Sequence, residues 1–349
     1  MTDSSTTQRP TVNDVARVAG VSLATVDRVL NERPGVRDAT IARVQNAVDS
    51  LGYVRDVSAA NLARQRQYRI EFFLPDGRGQ FLAALAETLA TVTPVARLDR
   101  TRVVVKTYQA DDPHALSRQL ERLDADQVDG VAIIAPETPQ VRDAVDRLKR
   151  VGIAVVAMVS DLPSTRRDRF VGIDNVAAGR TAGTLLGRFA GPVTGSVLVV
   201  AGSTHARDNV ERRLGFDQVM AESYPGLAPL PSIEGHDDPG IIERAVDRAL
   251  TANPDVVAVY SIATEHLALL RVLKRHGVAG RLTVIAHELT TDARAALLEG
   301  DFDAVITQDL GHVVRSALRV LKAHSDQRRI DDAQESIRIE ILIQDNLQR

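Results

Sequence analysis

A run of ten residues, Ser22-Leu23-Ala24-Thr25-Val26-Asp27-Arg28-Val29-Leu30-Asn31, carries the most pointed chemistry in the chain. At helical spacing Val26, Val29 and Leu30 share an inward face, which leaves Leu23, Ala24, Thr25, Asp27 and Arg28 outside. A guanidinium such as Arg28 can fork onto guanine O6 and N7, and Leu23 and Ala24 can touch thymine methyls. The exposed face therefore has the chemistry of base-edge reading in a major groove. Spacing alone leaves a plainer reading open, a small helical bundle whose polar face meets only solvent. Other constellations fail their own tests. Gly77-Arg78-Gly79 follows a strand pattern and opens a helix, but Leu82 stands where a dinucleotide fingerprint needs its last glycine. His287-Glu288 begins like H-E-x-x-H, but residue 291 is Thr and no zinc pair forms. The eight histidines are scattered, cysteine is absent, and neither G-x-S-x-G nor a P-loop lysine occurs. No cofactor, metal or enzymatic activity is expected.

The elements that must hold the exposed face read as three short helices. Thr11 and Asp14 make a capping-box pattern ahead of a helix over about 12–19, and Gly20 ends it. Ser22 can cap a second helix through Leu30, and residues 31–36, with Pro34 and Gly35, form a loop. A third helix over about 38–51 turns Ile41, Val44, Val48 and Leu51 inward and stops at Gly52. Helix, short glycine turn, helix is helix-turn-helix grammar. Residues 56–67, DVSAANLARQRQ, are too polar and too short to own a core and read as a linker.

From Tyr68 the pattern changes. Apolar runs at 70–74, 103–105, 128–134, 153–159, 197–201, 256–260, 282–286 and 304–306 alternate with helical patterns such as 116–123, 141–151 and 264–277. Continuous apolar strands between amphipathic helices predict parallel sheets covered on both faces. About nine such strands predict two doubly wound lobes rather than one sheet, with a last run at 337–343 as a closing strand.

Length and composition set the same bounds. The 349 residues, 44% hydrophobic and 26% charged, suit a soluble globular protein of two or three domains. Net charge is −3, yet residues 1–67 hold nine arginines against seven acids, an excess of two positive charges that leaves −5 for the rest. That split suggests that one part meets a polyanion. Aromatics are only 3%, without Trp, which disfavours a stacking platform for single strands. No stretch approaches the ~20 apolar residues of a membrane span, and the polar residues 1–10 lack a signal peptide's apolar core. A cytoplasmic protein without membrane contact is expected.

VNDVARVAGVSLATVDRVLN, then PGVRDATIARVQNAVDSLGY and then AANLA, resembles without a gap the DNA-binding head and linker of the lactose-repressor (LacI) family of bacterial regulators. The remainder is similar, more loosely, to that family's periplasmic-binding-protein-like core. Matched position by position, the resemblance implies Leu23 and Ala24 as the base-reading pair and Arg28 as the base-contacting arginine. It implies Thr11, Ser22, Thr25 and Asn31 as phosphate contacts, and Leu62 as the linker leucine wedged into the minor groove at the operator's centre. Plainer uses exist: Thr11 and Ser22 as caps only, and Leu62 packed on its own core. In the core it implies a ligand cleft between the lobes, with Phe81 as an aromatic platform and Arg212 as a ligand-forking arginine. Glu288 stands where an Asp normally accepts two hydroxyls, and Gln308 at a strand end used by hinge and ligand. Arg207 and Asp174 are weaker additions. Each of these single residues could instead be a surface or hinge salt bridge. As a set they suit a sugar or polyol, whose hydroxyls both donate and accept.

The chain also departs from the family pattern. Asp27 replaces a usual Ser, and Arg37 replaces a capping Ser or Thr, leaving Asp38 to cap the third helix. Val159 and Ser160 replace an acidic and basic pair, and Ser261 and Ala263 fall where Asn or Asp is common. The polar ring is thus incomplete, which keeps a nucleobase or nucleoside open as the ligand.

The expected fold is α/β: a three-helix helix-turn-helix head (1–54), a hinge-helix linker (55–67) and an effector-binding and dimerisation core (68–349) of two doubly wound lobes. The N-lobe would span about 68–174 plus 309–330, and the C-lobe about 175–308 plus 331–349. The resemblance implies a homodimeric, sequence-specific transcription regulator, a repressor, on near-palindromic double-stranded operator DNA, switched by a small effector. The rival class is a solute-binding protein without DNA function. It predicts an export signal and no basic head, and the sequence reads the other way.

Overall fold

Short caps and left-handed glycines organise the first helices, α1 (Val12–Ala19), α2 (Leu23–Leu30) and α3 (Asp38–Leu51). The computed structural model describes residues 10–30, 33–53, 66–77, 79–203, 206–236 and 238–347. Asn31 and Leu62 lie outside the described residues. Two compact units divide between Arg66 and Gln67.

In the first unit Thr11 and Asp14 form a reciprocal capping box on α1. Gly20, at φ +63°, returns its N–H to the Ala16 and Arg17 carbonyls. Val15, Ala16, Ala19, Val26, Val44 and Ala47 make the buried core, with Val29, Leu30, Val48 and Leu51 packed on it. Two expectations need correction. Ile41 is exposed, because the stripe through Val44, Ala47, Val48 and Leu51 already fills the inward face. Asp38 does not cap α3: Arg37 holds the cap position without a side-chain bond, and Asp38 is the first helical residue. Its charge acts instead on the positive end of the helix dipole.

In the second unit five parallel strands are ordered β2-β1-β3-β4-β5: β1 (Tyr68–Pro75), β2 (Thr101–Tyr108), β3 (Gly130–Ile133), β4 (Ala154–Met158) and β5 (Arg169–Val171). The helices α4 (Gln80–Leu98), α5 (Ala115–Glu121) and α6 (Pro139–Arg150) connect them. Every residue of β3 and β4 is buried, as their unbroken apolar runs require. The chain then crosses at 172–174 into the second lobe.

That lobe holds α7 (Asn175–Ala190), β6 (Gly195–Ala201), α8 (Arg207–Ser223), β7 (Leu227–Pro229), β8 (Ile233–Glu234), α9 (Pro239–Ala252), β9 (Val256–Ser261), α10 (His266–Arg275), β10 (Thr283–His287), α11 (Thr291–Glu299) and β11 (Ala304–Thr307). A second crossing leads into α12 (Leu310–Ser325), which lies back on β3, β4 and β5 of the first lobe. A third returns to β12 (Glu340–Leu342), antiparallel to β11 and the closing strand of the second sheet, ordered β12-β11-β10-β9-β6-β7 with β8 also on β6.

Three short strands, β5, β7 and β8, escaped the sequence reading, since two or three residues carry no periodic signal. The reading also missed that α4, by length and composition alone, is apolar enough to cross a membrane. Thr88, Thr91 and Thr93 interrupt its apolar run, but each hydroxyl donates to the carbonyl four residues back, at 2.8, 3.1 and 2.7 Å. The helix packs on β2 and α12.

Glycine sets the closest approach in the second lobe. A Cβ on Gly179 of α7 would lie 1.9 Å from the Arg212 carbonyl oxygen, and one on Gly215 of α8 would lie 2.0 Å from that of Val176. The two helices therefore meet backbone to backbone. The lobe's core also buries two histidines. His266 lies edge-on to Phe302, with centroids 5.5 Å apart, and its Nε2–H donates to the His287 carbonyl at 3.0 Å. Burial depresses the His266 pKa to about 4, and that of His287 falls well below the usual range for the same reason.

Two outcomes are expected. Gly179→Ala lowers stability by about 3 kcal/mol, since its methyl group meets backbone rather than a movable side chain. A thermal midpoint at or above that of the parent protein would show that the helices part without cost. For His266, the unfolded chain binds protons that the folded chain refuses. Its contribution is therefore complete above pH 6.5 and is lost as pH falls toward 4, about 3 kcal/mol in all. Urea midpoints across that window should fall more gently in His266→Asn, and an unchanged profile would assign the acid sensitivity elsewhere.

Candidate functional site

On α2 the side chains of Leu23, Ala24 and Arg28 are exposed together, while Val26 is wholly buried beneath them. Ser22 accepts the Thr25 N–H at 3.2 Å, and the two hydroxyls lie 2.9 Å apart. Thr11 donates its hydroxyl to Asp14 at 2.8 Å and accepts the Asp14 N–H at 3.4 Å. Thr11 and Ser22 thus act as caps. Arg17 holds the Asp14 carboxyl down at about 2, helped by the Thr11 N–H. Asp27, the unusual acid on this helix, pairs with Arg33 at 3.4 Å, so its charge is partly offset at the surface.

In the second unit Phe81, Glu288 and Gln308 line one cavity of about 200 Å³, together with Thr290, Thr307 and Leu310. Phe81 comes from α4 of the first lobe, Glu288 from the end of β10 and Gln308 from the second crossing, so the cavity lies between the lobes. Glu288 takes a left-handed backbone, φ +65°, with its N–H donating to the Ile306 carbonyl at 2.8 Å. Arg212 reaches it from α8: Nη2 donates to Glu288 Oε1 at 2.8 Å, and Nε donates to Asn175 Oδ1 at 2.9 Å. The Thr307 hydroxyl and Gln308 Nε2 stand 3.5 Å from the same carboxylate. Gln308 Oε1 is buried without a hydrogen-bond partner.

Burial pushes the Glu288 carboxyl above the usual range, while the guanidinium's charge and hydrogen bond pull it back. Burial likewise acts against the Arg212 cation, but Glu288, Asp208 and Tyr260 together outweigh it and raise the pKa. The cavity is thus lined by a carboxylate, an amide side chain and an aromatic wall. Such a set fits a ligand that donates hydrogen bonds.

Arg207 and Asp174 lie apart from this group. Arg207 pairs with Glu137 of the first lobe at 3.0 Å and with Glu211 at 2.6 Å. Asp174 caps α7, accepting the Ala177 N–H at 2.9 Å. It borders a second cavity, of about 480 Å³, with Asp161, Glu211 and Glu335. Ser160 accepts the Asp208 N–H at 3.4 Å, and Ser261 donates to the Ala263 carbonyl at 3.2 Å.

Sequence reasoning missed three participants. Asn175 holds Arg212 and is 2% exposed, but beside a capping Asp it reads as an ordinary first-turn residue. Gln80 of the first lobe meets Asp292 of the second, a contact that only the lobes' approach creates. Thr307 carried one signal, its place at the end of an apolar run just before Gln308.

Comparison with known proteins accords with this geometry. Residues 11–56 match the profile "Bacterial regulatory proteins, lacI family", and residues 73–329 match "Periplasmic binding protein domain". The chain is 24% identical over 330 residues to Catabolite control protein A of Priestia megaterium, covering 93% of this chain and 95% of that one. It is 27% identical over 274 residues to the HTH-type transcriptional regulator DegA of Bacillus subtilis (strain 168), covering 76% and 79%. Among solved structures, an ABC transporter solute-binding protein from Burkholderia graminis C4D1M in complex with D-arabinose shares the fold at TM-score 0.73 and 22% identity. That match covers 80% of this chain and 96% of that one. With a helix-turn-helix ahead of two parallel-sheet lobes, the chain belongs to the lacI family of bacterial regulatory proteins: it is a DNA-binding transcription regulator with a periplasmic-binding-protein-like domain.

Proposed function

We propose that this regulator is a cytoplasmic repressor that binds a near-palindromic operator as a homodimer, and that a sugar or polyol in the inter-lobe cavity sets its affinity for that operator. The observation that carries the ligand reading is the cavity shared by Phe81, Glu288 and Gln308, which sets a carboxylate beside an aromatic ring. A carboxylate accepts only, and a ligand hydroxyl can donate to it. A pyranose ring also has an apolar face to lay on Phe81. In the head, Leu23, Ala24 and Arg28 are assigned to base edges, and Thr11, Ser22, Thr25 and Asn31 to phosphates. Leu62 is the wedge at the operator's centre. Homodimerisation draws support from apolar side chains left outside on α4 and the adjacent edge strand β2: Val95, Leu98 (84% exposed) and Val105. A two-fold dimer in turn demands matching half-sites.

For the DNA reading, fluorescence anisotropy on operator DNA should give log affinity falling linearly with log salt, by about 0.9 per phosphate neutralised. Arg28→Ala should cost about 1–3 kcal/mol and flatten the preference at one base pair per half-site. If that preference persists, reading belongs to another residue.

For the ligand reading, thermal-shift screening against sugars, polyols and nucleosides should find a sugar or polyol that adds about 2.7 kcal/mol at a hundredfold its Kd. Glu288→Gln keeps the shape and still receives Arg212, but loses the charged acceptor. It should weaken that ligand by about 1.5 kcal/mol or more. A screen answered only by nucleosides would replace the sugar reading.

A further inference from the structure

Val159, where β4 ends, has φ +64°. A β-branched residue rarely adopts that conformation, because its Cβ crowds the following carbonyl. Glu288, in the cavity, has φ +65°. Such backbone persists only where the surroundings over-determine it, and these two residues are the ends of one buried polar chain. The Val159 carbonyl accepts Asn175 Nδ2–H at 3.2 Å, and Asn175 Oδ1 accepts Arg212 Nε–H at 2.9 Å. Arg212 Nη2–H then meets Glu288 at 2.8 Å. Asn175, Arg212 and Glu288 are 2, 2 and 4% exposed. Water therefore cannot stand in for a lost partner, and each bond is held in a low dielectric.

The side-chain types fit this chain closely. Only an amide of this length donates to a carbonyl on one side and accepts from a guanidinium on the other. An aspartate would keep the Arg212 end and lose the Val159 end. The Arg212 backbone lies close against Gly179, where a Cβ would stand 1.9 Å from its carbonyl oxygen. At the other end the Val159 N–H donates to the Val171 carbonyl at 3.1 Å, one residue before the chain crosses between lobes. Both backbone groups of Val159 are thus committed to the crossing region.

We propose that Asn175 is a positioning residue for the effector response: it locks the strained turn at Val159 and the cavity pair Arg212–Glu288 into one joint arrangement, so that a group engaging Glu288 alters the first crossing between the lobes. The proposal rests on the cavity being the effector site. A ligand that draws the carboxylate away shifts the guanidinium, the guanidinium turns the amide, and the Val159 carbonyl loses the donor that holds its conformation. The ligand's preference for one lobe arrangement then resides in this chain of bonds, as any conformational response requires.

Hydrogen–deuterium exchange on the full chain, without ligand, tests it. Glu288→Gln should speed exchange in the peptides covering 154–162 and 169–173 by roughly three- to tenfold, the effect of weakening about one hydrogen bond. Asn175→Asp should produce the same acceleration. Glu288→Gln added to Asn175→Asp should then change the crossing no further, since the link is already cut. Asn175→Ser, which brings in no charge, takes its place if Asn175→Asp does not fold. A merely structural Asn175 would lower the thermal midpoint and leave the Glu288→Gln effect intact. That additive result, or exchange changes confined to the surroundings of Glu288, would overturn the proposal. Because no ligand enters this experiment, its outcome is separate from that of the sugar and nucleoside screen.

Discussion

An arginine and a glutamate, both almost stripped of water, meet at 2.8 Å within the second lobe, and much of that lobe is arranged around the cost of putting them there. Moving each ion out of water costs several kcal/mol, and their attraction offsets this only when geometry is tight and the remaining polar atoms are satisfied. The structure meets much of that demand. Gly179 lets α7 come close enough for Asn175 to reach Nε, while Thr307 and Gln308 approach the second face of the carboxylate. Behind the pair, Phe216 stacks on Tyr260 at 4.3 Å, and the Tyr260 hydroxyl lies 2.8 Å from His287 Nε2, which closes the site to water. A pair of leucines of similar volume would give the lobe as much stability. What they would not give is a charge that a ligand can engage.

The head solves a different problem with the same economy. About forty residues build a core of six buried side chains, too few to hold three helices by apolar burial alone. Caps make up part of the difference, typically about 1 kcal/mol each. This is why Thr11 and Ser22 are engaged with their own helices. Such engagement leaves helix N-termini rigidly presented, and a helix N-terminus attracts phosphate through its free N–H groups. Asp27 runs against that tendency, and its pairing with Arg33 reduces the conflict without removing it.

The long apolar runs were legible because a strand buried on both faces has no choice of residue type, and β1, β3, β4, β6, β9, β10 and β11 all fall where those runs are. Legibility failed where the determinant is three-dimensional. The edge strands β5, β7 and β8 exist because a neighbour offers hydrogen bonds, and Ile41 is outside because Ala47 is inside. The site divides in the same way. Phe81, Glu288 and Gln308 could be named from type and position, and they share a cavity. Arg207 and Asp174 could be named too, yet one bridges the lobes to Glu137 and the other caps a helix. Asn175 and the left-handed turn at Val159 carried no signal at all. A buried amide looks like any other asparagine until its two partners are brought to it from 37 residues downstream and 16 upstream.

Energetics then constrain how a ligand could use this arrangement. Shifting a two-state equilibrium from 1:99 to 99:1 takes about 5.5 kcal/mol of differential affinity. One hydrogen bond to a charged group contributes about 1.5–3 kcal/mol, so contacts at Glu288 alone fall short of a complete shift. The remainder has to come from groups whose pairing changes with the angle between the lobes. Contacts that span the lobes include Arg207 with Glu137 and Gln80 with Asp292, and both are partly exposed, so each is worth little by itself. The second crossing adds a third contribution. Gln308 faces the Glu288 carboxylate and stands just before α12, which returns to lie on β3, β4 and β5 of the first lobe. One acid therefore touches two of the three crossings, the first through Arg212 and Asn175 and the second through Gln308. A ligand that rearranged that acid would act on both at once, and a few hydrogen bonds in a small cavity would then reach the energy that a lobe rearrangement demands.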